Sequence, residues 1–127
     1  MSKGHILVVE DNLDNYELVR TILELADYDT FLAVNGRDGV DAARMQMPDL
    51  ILMDMAMPEM DGWDATQRIR EDPETAHIPM IALTVHTLPR ERKRALDAGV
   101  NAYLSKPYDA AQLINLVEST LEKSKQK

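Results

Sequence analysis

Apolar positions along the chain fall into two alternating patterns. Short runs of strand length stand at residues 6–9, 30–34, 50–53, 80–84 and 102–104. The first, third and fourth are apolar on consecutive residues, as in strands buried on both faces. Between them, hydrophobic residues recur at helical spacing. Leu18, Ile22 and Leu25, at i, i+4 and i+7, predict an apolar stripe on a first helix of about residues 14–26. Val40, Ala43 and Met47 do the same for a second, opened by Asn35 as N-cap with Asp38 three residues on. A third helix is expected after Gly62, with Trp63 and Ile69 inward, and stops before Pro73. Pro89 suits the first turn of a fourth, which ends at Gly99. Asp109 with Gln112 forms a cap signal for the fifth, whose inward residues are Leu113, Val117 and Leu121.

Strand and helix thus alternate five times. The expected fold is α/β: a doubly wound five-stranded parallel sheet, (βα)5, with right-handed crossovers and helices on both faces. At 127 residues it is expected to be one domain, 1–127, with a core of about 4–121 and a polar C-terminal tail at 122–127. Ligands of such sheets bind beyond the strand C-terminal ends, where the strand order reverses. That rule selects the residues able to meet. Strand 1 delivers Glu10 and Asp11, strand 3 Asp54, strand 4 Thr84, and strand 5 Lys106 followed by Pro107; strand 2 ends in Ala33, Val34 and Asn35 and offers nothing comparable.

Composition narrows the chemistry. Hydrophobic residues make up 45% of the chain and charged residues 28%, an ordinary globular balance. The absence of Cys excludes disulfides, zinc–thiolate sites and a cysteine nucleophile. No apolar run approaches the roughly 18 residues of a membrane span, and the run at 6–9 is too short for a signal peptide, so a cytoplasmic location is expected. A net charge of −8 disfavours direct binding to nucleic acid or to an anionic membrane. It leaves open a cluster of acids around a cation.

Three carboxylates within several ångströms cannot all stay ionised comfortably without a cation. Hard oxygen ligands in small number suit Mg²⁺. Lys106 adds a fixed positive charge, and Thr84 a hydroxyl donor. A metal, an ammonium and a hydroxyl around one carboxylate suit a phosphoryl group, with Asp54 at the centre as nucleophile.

These residues resemble the receiver domain of bacterial two-component response regulators. The matching pieces are Val8-Val9-Glu10-Asp11-Asn12, Asp49-Leu50-Ile51-Leu52-Met53-Asp54, Met57-Pro58-Glu59-Met60-Asp61-Gly62, Ile78-Pro79, Thr84 and Lys106-Pro107, running from about Lys3 to Leu121 in the family's order and spacing. The resemblance implies the CheY-like version of the flavodoxin-like topology. It implies that Asp54 accepts a phosphoryl group from a phosphohistidine, and that Asp11 binds Mg²⁺ directly, Glu10 through water and Ala56 through its backbone carbonyl. Thr84 and Lys106 would bind the phosphoryl oxygens. Tyr103 matches the switch aromatic, and the Lys106–Pro107 peptide is typically cis in the family.

Simpler readings exist for several positions. Glu10 and Asp11 could merely open the first helix, Thr84 could be a strand former and Lys106 a surface lysine, but none of these accounts for their convergence on Asp54. Tyr103 could be only a half-buried packing residue. Met53, Met55, Met57 and Met60 are best read as gap-fillers around a loop. Arg90, Arg92, Lys93 and Arg94 crowd the fourth helix, a solvated face by default and a docking patch for an acidic partner as the alternative. Two departures from the common family pattern stand out. Val85 follows Thr84 where a small residue is usual and is expected to slow phosphotransfer, which Val85→Ala in stopped flow would test. Ala56 and His86 lie two residues beyond Asp54 and Thr84, where the family tunes access of attacking water; His86 is an exposed loop residue or a contact to the phosphoryl group or a partner.

The expected function is a phosphorylation-operated signalling switch. A sensor histidine kinase or histidine phosphotransfer protein phosphorylates Asp54, and the face of helix 4, strand 5 and helix 5 changes its affinity for a downstream protein. The domain would catalyse only its own phosphorylation and dephosphorylation, and so is not expected to be an enzyme in the usual sense. With the chain ending soon after the fifth helix, a stand-alone receiver is expected, monomeric or weakly dimeric on phosphorylation. The alternatives are a phosphatase of the haloacid dehalogenase type, which wants an aspartate where Ala56 stands, a flavodoxin-like electron carrier, whose FMN phosphate Glu10-Asp11 would repel, and a pseudo-receiver that binds partners without phosphorylation.

Overall fold

The computed structural model describes residues 2–55, 62–84 and 89–125. In chain order these form β1 (Gly4–Val9), α1 (Leu13–Leu25), β2 (Tyr28–Ala33), α2 (Gly36–Gln46), β3 (Leu50–Asp54), α3 (Gly62–Glu71), β4 (Met80–Thr84), α4 (Pro89–Ala98), β5 (Ala102–Ser105) and α5 (Ala110–Lys125). The strands make one sheet in the order β2-β1-β3-β4-β5, and every neighbouring pair is parallel. The predicted (βα)5 doubly wound sheet is therefore borne out. The order reverses between β1 and β3, the strands that lead to Glu10 and Asp54.

Alternation along each strand builds two cores. On one side Leu7, Val9, Ile51, Met53, Met80 and Ala82 pack with Ala43 of α2 and with Ala65 and Ile69 of α3. On the other, Ile6, Val8, Leu50, Leu52, Ile81 and Leu83 pack with Val19 and Leu23 of α1 and with Leu113 and Val117 of α5. Every residue of β3 and β4 is buried, as their unbroken apolar runs predict, whereas the edge strand β5 is only half-buried. One register row crosses the whole sheet, Ala33–Val9–Met53–Ala82–Tyr103. The acids stand immediately beyond it.

The helix ends follow the sequence closely. Asn35 Oδ1 accepts the N–H of Asp38 at 2.8 Å. Asp109 and Gln112 form a reciprocal capping box, with bonds of 2.8 and 2.9 Å. α4 begins at Pro89 and is followed by Gly99 at φ 112°, a conformation that suits glycine.

Two apolar stripes differ from expectation. On α1 the buried residues are Val19 and Leu23, while Leu18 is 61% and Leu25 82% exposed. The helix carries apolar residues on more than one side, so periodicity allows two stripes; packing against the sheet core selects the one carrying Val19 and Leu23. Met47 lies beyond α2 as a left-handed C-cap, its N–H donating to the Ala43 carbonyl, and its side chain is exposed. Ala43 is buried as expected, Val40 packs half-buried against the same core, and Gly36 and Gly39 are the other buried residues of the helix.

Below the sheet, at the strand N-terminal ends, Arg70 ties three segments together. Its guanidinium donates to the carbonyls of Gly99 (2.7 Å), Ile78 (2.7 Å) and Ala76 (3.1 Å) and to Asn101 Oδ1 (3.0 Å). That same Asn101 oxygen accepts the N–H of Met80 at 2.8 Å, the first residue of β4. Burial lowers the pKa of the Arg70 guanidinium.

Candidate functional site

Five chemically active side chains meet above the switch point. The three nearest the sheet are almost wholly enclosed: Glu10 is 3%, Asp54 6% and Thr84 3% exposed. Backbone bonds hold their carriers. The N–H of Glu10 donates to Ala33 O at 2.9 Å, that of Met55 to Leu83 O at 3.1 Å, and that of Lys106 to Thr84 O at 2.8 Å. Each bond continues the sheet pairing one step past the strands, so the site inherits the rigidity of the sheet.

Lys106 Nζ lies 3.5 Å from Asp54 Oδ2 and 3.8 Å from Glu10 Oε1. The Lys106–Pro107 peptide is cis. Asp11 is exposed at the rim, yet Glu10, Asp11 and Asp54 each offer an oxygen within 4.8 Å of the others. Glu10 Oε2 accepts the N–H of Asn12 at 3.2 Å, and Asn12 Oδ1 caps α1 through the N–H of Asn15. The loop is thereby closed around the acids.

The electrostatics are those of a site short of positive charge. Burial, then the Asp54 charge and a hydrogen bond to its carboxyl, push Glu10 up to about 7; the ammonium of Lys106 and the N–H of Asn12 pull the other way and do not prevail. Tyr108 is pushed up to about 12 by burial first and then by Glu10 and Asp54. Two buried carboxyls with one lysine between them leave the cluster able to take a further cation. All the available donors are hard oxygens, which suits Mg²⁺.

The structure thus brings together Glu10, Asp11, Asp54, Thr84 and Lys106. Tyr103, on β5, is half-buried and packs against the core shared by Met53 and Ala82. Met53 and Met55 are buried, as gap-fillers would be. Ala56, Val85 and His86 lie outside the described residues, as do Met57 and Met60. On α4, Lys93 pairs with Asp97 of its own helix, while Arg94 stacks over the ring of Trp63 at 4.3 Å. Tyr108 escaped the sequence reading: it faces the acids from just beyond Pro107, and its only signal was adjacency to a motif. Gly62, the last residue of the motif at 57–62, abuts the Asp54 backbone.

The profile of the response regulator receiver domain matches residues 6–118. The chain belongs to this family. A polar-differentiation response regulator, DivK, of Brucella anthropi is 38% identical over 116 residues, covering 91% of this chain and 94% of that protein. Among solved structures, the receiver domain of a sensor histidine kinase from Pseudomonas aeruginosa, with a magnesium ion coordinated in its active site cleft, is 36% identical. It superposes with a TM-score of 0.87 over 94% of this chain and 98% of its own. A signal receiver domain of a Syntrophus aciditrophicus histidine kinase is 35% identical, with a TM-score of 0.89 over 98% of this chain and 94% of its own. The protein is thus a receiver of the two-component type, a signalling domain and not a metabolic enzyme. No described helix of this receiver is long and apolar enough to cross a membrane.

Proposed function

We propose that this receiver is switched by phosphorylation of Asp54. The observation that carries the reading is the placement of the Lys106 ammonium 3.5 Å from Asp54 Oδ2 in a pocket that also holds two further acids and Thr84. In the proposed transfer an Asp54 oxygen attacks phosphorus, the P–N bond of a phosphohistidine breaks, and its electron pair returns to the imidazole as an acyl phosphate forms. Lys106 balances charge on the phosphoryl oxygens and Thr84 donates to one of them. Glu10, Asp11 and Asp54 would hold Mg²⁺, with the Ala56 carbonyl; the ion supplies charge neutralisation to the transferring group.

The donor is a sensor histidine kinase or a histidine phosphotransfer protein. Leu13 and Leu18, both over 60% exposed on α1 beside the acids, offer it an apolar landing. Output runs through Tyr103 to the face of α4, β5 and α5, where a downstream protein binds; Thr84 moving toward the phosphoryl group makes room for the ring. The match to nearly the full length of the Brucella relative, itself named a response regulator, supports a role as a signalling receiver. Hydrolysis of its own acyl phosphate resets it.

The test is a titration with Mg²⁺ and then beryllofluoride, followed by Trp63 fluorescence, with mass spectrometry after incubation with a phosphodonor. Quenching by Mg²⁺ and a base-labile phosphoryl adduct on Asp54, absent in Asp54→Asn, are expected. A wild type indistinguishable from Asp54→Asn in both assays would leave a partner-binding module that works without phosphorylation.

A further inference from the structure

A cavity of about 400 Å³ opens at the other end of the sheet, between α5 and the entries to β4 and β5. Pro79, Ala102 and Leu116 give it an apolar floor. Its polar lining is unlike the rest of this chain. With 22 acidic residues and a net charge of −8, the protein nevertheless places no carboxylate among the residues lining this cavity, and it places Lys123 and His77 there. Neither is paired with a carboxylate among the described residues.

The neutral groups agree with Lys123. Thr120 is only 6% exposed, lines the cavity, and its hydroxyl has no hydrogen-bond partner among the described residues. The hydroxyl keeps contact with the open space of the cavity, where it can donate to or accept from an occupant. Asn101 also lines the cavity. Its Oδ1 is taken by Arg70 and the Met80 N–H, which assigns the amide orientation and leaves Nδ2 as a free donor. The Arg70 guanidinium behind it adds positive potential, held in place by three carbonyls. A mostly apolar floor with a few convergent polar groups, in a volume of roughly 300–1,000 Å³, is the usual form of a small-molecule site.

We infer that this cavity binds a small organic anion, an oxyanion headgroup on a compact apolar body, with Lys123, His77, Thr120 and Asn101 on the headgroup. The site is remote from Asp54 and does not depend on phosphorylation. An occupant would touch Ala102, the residue before Tyr103, and Asn101, which holds the start of the strand ending at Thr84. Binding there would bear directly on both residues of the proposed switch.

The experiment is an amide NMR titration of the whole chain without Mg²⁺, using phenylphosphonate, whose C–P bond cannot donate a phosphoryl group. Benzoate, inorganic phosphate and benzylamine serve as comparison probes. Saturable shifts are expected at His77, Asn101, Ala102, Thr120 and Lys123, with a dissociation constant on the order of 1 mM or below. Phosphate alone should bind more weakly and benzylamine not at all. Lys123→Glu should weaken phenylphosphonate at least about tenfold, and Thr120→Val, which keeps the side-chain volume, about fivefold, the loss of one hydrogen bond. Linear shifts without saturation, equal response to benzylamine, shifts centred on Asp54, Thr84 and Lys106, or indifference to Lys123→Glu would each overturn the assignment. None of these outcomes bears on phosphorylation of Asp54, which the Trp63 and mass-spectrometric assays read separately.

Discussion

Gly62 lies against the backbone of Asp54: a Cβ at Gly62 would stand 2.5 Å from the Asp54 carbonyl oxygen and 2.5 Å from the Met55 Cα. Both obstacles are main chain at the end of a fully buried strand, so neither can yield cheaply. The first turn of α3 rests on the tip of β3 because position 62 has no side chain. Gly62→Ala is therefore expected to destabilise the protein by about 1–3 kcal/mol, the range for overpacking a close contact. It should also weaken Mg²⁺ binding by displacing Asp54. Urea unfolding and Mg²⁺ titration of Trp63 fluorescence measure the two effects; a variant unchanged in both would show that the contact is slack.

Lys106 competes with a metal for the same oxygens that it would later help to phosphorylate. Lys106→Ala should thus tighten Mg²⁺ binding severalfold, because two buried carboxyls lose their ammonium neighbour. Phosphorylation by a small donor such as acetyl phosphate should slow by about a hundredfold, a typical loss for one charged group stabilising a transferring phosphoryl. Opposite signs in the two assays separate an electrostatic role from simple damage to the site.

Protonation of Glu10 links the site to stability. Its folded-state pKa of about 7 lies above the ordinary 4.5, chiefly through burial, so between these values the folded protein holds a proton that the unfolded chain has lost. This group's contribution to stability is full below about pH 4.5 and falls away as pH rises toward 7. Glu10→Gln should abolish that component, seen as a flatter dependence of Tm on pH from 5 to 8. Mg²⁺ should raise the wild-type Tm more at pH 8 than at pH 5.5, because it must displace the proton at the lower pH. An increment independent of pH would place the metal away from Glu10.

Arg70 satisfies three backbone carbonyls and Asn101 with one rigid fork. Arg70→Ala should cost about 1–3 kcal/mol by leaving the part-buried carbonyls of Ile78 and Gly99 unmet. Arg70→Lys should recover less than half of that, since an ammonium cannot span the same acceptors. Chemical denaturation of both variants decides the matter, and equal losses would mean that packing of the aliphatic stem dominates.

Leu18, exposed on α1, should be indifferent for the fold, with Leu18→Ser within about 0.5 kcal/mol of wild type. Transfer from a phosphotransfer protein should nevertheless slow, while phosphorylation by acetyl phosphate should not. A parallel loss with both donors would place the effect in the site and not in docking.

Leu18 also shows where sequence reading reaches its limit. Helical spacing located α1 correctly and nominated Leu18, Ile22 and Leu25 for burial; Ile22 packs half-buried against the core, but Leu18 and Leu25 are exposed and Val19 and Leu23 are buried in their place. A period of 3.6 defines faces only relative to one another; which face turns inward depends on the angle at which the helix meets the strands. The strands suffered no such ambiguity. Runs apolar on every residue can only lie between two layers, and β3 and β4 are buried throughout. Caps were equally legible, since Asn35 and the Asp109–Gln112 box act within four residues.

The same division holds for the site. Which side chains gather there, Glu10, Asp11, Asp54, Thr84 and Lys106, followed from the sequence, because a parallel sheet brings all its strand C-terminal ends to one edge. Their mutual distances, the raised pKa of Glu10, the seat of Gly62 on β3 and the carboxylate-free lining of the cavity beneath α5 did not. Local pattern determines where each strand and helix begins and ends. Charge, burial and close approach are properties of residues distant in sequence, and only the packing of the two cores against the sheet could decide them.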